Sequence, residues 1–176
     1  VYNALLESLL YKEKGWVEFS IYNLFSPQSL IAEGTANFGI QMAFPGKSRI
    51  EFEKEVLFPL AGLDPKMVEK YYNVLSLSKK LSFASNEANR MYLDGKITKE
   101  ERAQWLVKYA LYSPERAKAS ISFVEKYRTY VINYNYGQYL VQKYIEKKGG
   151  TPEHPERRWD IFEKLLSTPQ VPSNLK

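Results

Sequence analysis

The residues best suited to chemistry are a glutamate, a run of tyrosines and a lone histidine. Glu33 falls among Leu30, Asn37, Ile40 and Phe44, positions spaced by three or four residues. At about 100° per residue these share one narrow helix face, read here as a core stripe. An ionised carboxylate on a buried face is costly unless a cation or strong donors meet it. Around it the chain reads Glu33-Gly34-Thr35-Ala36-Asn37-Phe38-Gly39. Each glycine costs a helix about 1 kcal/mol relative to alanine, so a close approach of another backbone or of a ligand is implied. Two readings stay open. Either Glu33 faces a ligand, or the segment is a tight helix crossing in which Glu33 pairs with an arginine.

The second segment is Arg128-Thr129-Tyr130-Val131-Ile132-Asn133-Tyr134-Asn135-Tyr136-Gly137-Gln138. On a continuous helix Tyr127, Tyr130, Tyr134 and Gln138 share a face, and Gly137 again permits close approach. Phenols in such a row can stabilise an oxyanion or hold a peptide backbone. The alternative is amphipathic packing with the hydroxyls reaching the surface. His154, between Pro152 and Pro155, reads as a solvated loop residue just before a helix. As the single histidine it excludes a self-contained two-histidine metal site. The absence of cysteine excludes disulfides and thiolate-ligated metals. Glu51, Glu53, Glu55, Glu100 and Glu101 fall in charged first turns, as helix-dipole residues do.

The elements that must hold these residues are helices. Ser26-Pro27, Asp64-Pro65 and Ser113-Pro114 are cap-plus-proline starts. Ser48-x-x-Glu51 and Thr98-x-x-Glu101 read as capping boxes. Between them the apolar period is helical, as in Met67, Tyr71, Val74, Leu77, Leu81, Ala84, Ala88 and Met91. The predicted spans are 1–14, 16–25, 27–44, 48–60, 65–94, 99–111, 114–148 and 155–167. An extended Pro169–Pro172 tail follows. No strand alternation and no linker interrupt them, so the expectation is an all-α, irregular multi-helix bundle, 1–176 being one helical unit. Apolar residues make up 44% of the 176, which excludes a disordered tail. No run approaches a membrane span. The net charge of +5 is dispersed in short doublets such as Lys79-Lys80, Lys147-Lys148 and Arg157-Arg158, which argues against nucleic acid. Val1 is neither a methionine nor followed by a signal segment, and the chain is expected to be part of a longer protein.

The Glu33–Gly39 segment resembles the Glu-Gly-x-Ala-x-Tyr motif of zinc peptidases of the gluzincin type. Among these it is most similar to a large, mostly bacterial helical family catalogued as a domain of unknown function. That family carries His-Glu-x-x-Gly-His-His upstream, Ser-Tyr-Lys-x-Gly downstream, and ends in a helix with a Leu-Pro tail. The downstream run corresponds to Asn133-Tyr134-Asn135-Tyr136-Gly137, and the end to Trp159–Leu166 with Val171-Pro172. Order and rough spacing agree from Leu30 to the C-terminus. Asn133 and Asn135 replace the serine and lysine, Phe38 replaces the aromatic hydroxyl, and the histidine motif is not in the chain.

The resemblance implies the C-terminal, substrate-cleft half of a larger helical peptidase-like fold. In it Glu33 would be the third zinc ligand, Asn37 would orient a ligand histidine, and Tyr134 would donate to the oxyanion. Arg128 and Tyr130 are taken as substrate-binding positions. The expected partners are a peptide substrate and the half that carries the histidines. A second copy is also expected, through an apolar patch near 27–44 and 114–148. Zinc would belong to the whole protein, and the isolated chain would be inactive. The rival reading is a non-catalytic helical module that binds a peptide or protein.

Overall fold

A computed structural model describes residues 1–176. The chain is helical throughout, with no strand. The helices are α1 (Tyr2–Leu6), α2 (Pro27–Ala43), α3 (Ser48–Phe52), α4 (Phe58–Leu60), α5 (Val68–Lys80), α6 (Ser82–Leu93), α7 (Lys99–Ala110), α8 (Pro114–Tyr127), α9 (Asn135–Lys147) and α10 (Pro155–Ser167). Wider π-helical turns continue α1 over Glu7–Lys12 and join α3 to α4 over Glu53–Leu57.

Several boundaries follow from local chemistry. Thr98 and Glu101 form the capping box, with Thr98 Oγ1 accepting from the Glu101 amide at 3.1 Å and Glu101 Oε2 accepting from the Thr98 amide at 2.8 Å. Ser113 accepts from the Arg116 amide and Asp64 from the Lys66 amide. Ser26 and Ser48 depart from expectation. The Ser26 hydroxyl is buried without a partner, and Ser48 Oγ donates back to the Pro45 carbonyl while Lys47 takes the cap position.

Three expected spans are shorter or divided. Within 16–25 only Val17–Ser20 coils, as a 3₁₀ turn. The span 65–94 divides at Leu81, which separates α5 from α6 at φ −86° and ψ −7°. The span 114–148 breaks at Arg128, which adopts φ +49°, and a 3₁₀ stretch runs through Asn133. At the C-terminus Val171 is extended as expected, but Pro172–Leu175 closes into a 3₁₀ turn.

The sequence reads as one unit, and the chain folds into two compact ones. The first comprises residues 1–43 and 132–176, the second 44–131. In the first, Tyr2, Leu6, Leu10, Ile31, Phe38, Met42, Val141, Ile145, Phe162 and Leu165 form a continuous core. Its two ends are tied through Tyr2, whose hydroxyl donates to the Thr168 carbonyl and accepts from the Gln170 amide.

The second unit has a smaller core of Ala88, Leu106 and Ala117. Its most buried polar residue is Arg102, only 1% exposed. The guanidinium joins three helices, donating to Asn89 Oδ1 on α6 and to the Ala117 carbonyl and Ser120 Oγ on α8. Burial holds the Arg102 pKa below the usual arginine range. In this unit Met67, Tyr71, Val74 and Leu77, read from the sequence as a core stripe, are exposed; Leu77 is 60% accessible.

Candidate functional site

The buried face of α2 is not the one on which Glu33 lies. Ile31, Gly34, Thr35, Phe38 and Met42 point into the core. Glu33 and Asn37 sit half-buried at its border, and Ile40 is 42% exposed. The stripe through Glu33 is therefore corrected by a rotation of about one residue. The physical reason is that α2 has apolar side chains on nearly every side, so the period does not choose a face.

The glycines locate the site. α2 and α9 pack more intimately than any other pair of helices, and Gly34 meets Gly137 at their crossing. A Cβ placed on Gly34 would lie 2.5 Å from the carbonyl carbon and oxygen of Gly137. One placed on Gly137 would lie 2.6 Å from the Leu30 carbonyl oxygen. Only hydrogen fits at either position. Thr35 completes the close face by donating to the Ile31 carbonyl at 2.7 Å, which removes its polar hydroxyl from the interface.

The crossing brings together the two segments singled out in the sequence. Glu33 precedes Gly34 directly, and Tyr134 lies one turn before Gly137. One turn beyond Gly34, Gln138 Nε2 on α9 reaches the Asn37 carbonyl at 3.4 Å. The Asn37 side chain turns back along its own helix, its Nδ2 donating to the Glu33 carbonyl at 2.9 Å. Tyr134 occupies the N-cap position of α9 and is 40% exposed, so its ring stands at the surface of this unit.

Arg128 and Tyr130 belong to the other unit. Arg128 is exposed, and its left-handed backbone carries a strain of order 1–3 kcal/mol for a non-glycine residue. Tyr130 is buried against Tyr127, ring centroids 6.1 Å apart. The break at Arg128 means that Tyr127, Tyr130, Tyr134 and Gln138 do not form one helix face, which corrects the row expected from their spacing. No glycine or proline marks this break, so composition gave no signal for it.

No three of the chain's histidine, aspartate and glutamate side chains converge on one point. These residues therefore do not assemble the three-ligand set of a catalytic zinc by themselves.

The sequence did not single out a groove between the end of α9 and the face of α10. It is lined by Tyr144, Lys147, Lys148, His154, Arg157 and Lys164 and holds about 730 Å³. The Lys147-Lys148 and Arg157 doublets, read as dispersed, meet there across a short loop.

The chain matches no protein-family model, no curated protein and no solved structure.

Proposed function

We propose that the unit built from residues 1–43 and 132–176 is the glutamate-bearing side of a helical zinc-peptidase site. One observation supports the reading above others. The two short motifs that carry the resemblance lie 100 residues apart in sequence, and their glycines are in backbone contact.

In this reading Glu33 contributes a carboxylate beside the crossing. The remaining ligands and the general base come from a His-Glu-x-x-Gly-His-His helix outside these residues. A metal so held supplies Lewis acidity and a low-pKa water. The chain's own part is positional. The Gly34–Gly137 contact fixes the Glu33 backbone, and the Asn37 amide braces it through the Glu33 carbonyl. The exposed Tyr134 hydroxyl is a donor for the carbonyl oxygen of a bound peptide.

The test uses the protein carrying the histidine helix ahead of Val1. Zinc content by atomic emission should fall to about a tenth in Glu33→Gln, with far-ultraviolet circular dichroism unchanged. Tyr134→Phe should keep the metal and lower kcat for peptide hydrolysis by about a hundredfold, with little change in KM. Full zinc retention in Glu33→Gln, or a protein with no such histidine helix, would overturn the proposal. The non-catalytic binding module would then remain.

A further inference from the structure

Lys147 and Lys148 end α9, and Arg157, Ile161 and Lys164 lie on one face of α10 at positions i, i+4 and i+7. The groove between them contains four full positive charges and no carboxylate. The C-terminal dipole of α9 offsets about half a charge, too little to balance them. None of the four is paired with an aspartate or glutamate side chain. Glu153, beside His154, is engaged with Thr151, and the other carboxylates close by are engaged or turned away. Glu146 holds Lys143 at 3.1 Å and Gln142 at 2.7 Å. Glu156, Asp160 and Glu163 stand about 100° round α10 from the groove face.

Nearby groups also hold the cations. Arg157 Nε donates to the Lys148 carbonyl at 2.8 Å, and the rest of the guanidinium lies against Gly149 at the end of α9. The loop is shaped around it, since a Cβ on Gly149 would lie 3.0 Å from Arg157 Nε, and Gly149 has φ +85°. Lys148 Nζ rests 4.9 Å from the centre of the Tyr144 ring. Lys147 Nζ reaches the Lys176 carbonyl at 3.3 Å. Side chains already fixed lose less entropy when an anion binds.

We infer that this groove is a binding site for a small polyanion carrying two or more linked phosphate groups. Its four cations come from the end of α9 and one face of α10, and linked phosphates present several negative charges to such a set where a single phosphate presents fewer. The volume is that of a small-molecule site. A nucleic-acid strand is less well served, because its bases need open aromatic faces. The single aromatic ring here, Tyr144, is occupied by Lys148. The inference is independent of the metal site and involves none of its residues.

The experiment is calorimetric titration of the whole chain with sodium tripolyphosphate at about 50 mM salt. The expected dissociation constant is of order tens of micromolar, rising with salt. A parallel titration with adenosine triphosphate separates a bare polyphosphate from a nucleotide, the latter binding more tightly if the base adds contacts. Lys147→Gln with Lys164→Gln, both exposed, should weaken tripolyphosphate about tenfold or more at unchanged helicity. Lys147→Arg with Lys164→Arg should stay within about threefold, and Lys79→Gln with Lys80→Gln, outside the groove, should change nothing. No binding at about 1 mM, or equal weakening by the Lys79/Lys80 variant, would overturn the inference. So would binding of duplex DNA or anionic vesicles without tripolyphosphate.

Discussion

At the scale of single residues, the glycines of α2 experience opposite surroundings. Gly34 is in contact with the Gly137 backbone, which cannot yield without moving α9. Gly39 has the far edge of the Phe162 ring as its nearest neighbour, 3.7 Å from a placed Cβ, which is ordinary contact distance. Gly34→Ala should therefore destabilise the chain by about 3 kcal/mol or more, as overpacking against backbone does. Gly39→Ala should be neutral or stabilise by up to about 1 kcal/mol, because alanine is the better helix former. Urea unfolding of the two variants side by side checks this. Equal effects would mean that the crossing is looser than described. The same pair shows what the sequence could reveal about the site. The Gly34 and Gly137 positions were legible because glycine in a helix needs a reason. The burial of Glu33 was not, because Leu30, Ile31, Phe38, Ile40 and Met42 surround α2 with apolar groups and several faces compete to be the core.

At the scale of elements, α3, the π-helical turn after it and α5 are joined by one electrostatic cluster. Arg49 Nε donates to Glu53 Oε1 at 2.9 Å, and the guanidinium lies 5.6 Å from the centre of the Tyr72 ring. Burial pushes the Glu53 carboxyl up, but the neighbouring Tyr72 hydroxyl and Arg49 outweigh it and hold the pKa below the usual range. The Tyr72 hydroxyl stands beside Glu53 outside good hydrogen-bond geometry. Burial first, and then the Glu53 carboxylate, push its pKa up to about 12. For Tyr72 the native state favours the neutral phenol. Its contribution is fully present below about pH 10, the unfolded value, and is lost as pH rises through the native value. For Glu53 the native state favours the carboxylate, so its contribution holds above about pH 4.5 and is lost as pH falls through the depressed value. Tyr72→Phe should flatten the loss of urea midpoint between about pH 10 and 12. An unchanged alkaline slope would show that Tyr72 titrates as in the unfolded chain. The helices themselves were largely readable where a side chain caps them, as at Asp64, Thr98 and Ser113. They were not readable at Leu81 and Arg128, where the helix is interrupted and no local residue type announces it.

At the scale of the whole molecule, the two units differ in how much apolar surface they bury. The first has large side chains such as Leu6, Ile31, Phe38, Ile145 and Leu165 almost wholly enclosed, each contributing about 1.5–3 kcal/mol on burial. The second encloses two alanines and Leu106 in its cluster, with Val68 and Val124 buried elsewhere. It relies more on polar ties. Arg102 bridges three helices, and Glu125 joins Lys99 at 2.5 Å and Tyr92 at 2.8 Å. Hydrogen bonds to charged groups return about 1.5–3 kcal/mol each, and exposed ion pairs less. The stripe Met67, Tyr71, Val74 and Leu77 adds little, since it is open to solvent. The sequence marked that stripe as core because its period is helical, but period alone does not say which neighbour covers it. The second unit should therefore open first. In native-state hydrogen exchange, amides of α5 and α6 should show opening free energies at least about 2 kcal/mol below those of α2 and α9. Arg102→Ala removes the donors of Asn89 Oδ1 and Ser120 Oγ and should lower protection in α6, α7 and α8 while leaving α2 and α9 protected. If protection instead falls uniformly along the chain, the units unfold as one and the inequality of their cores does not govern stability.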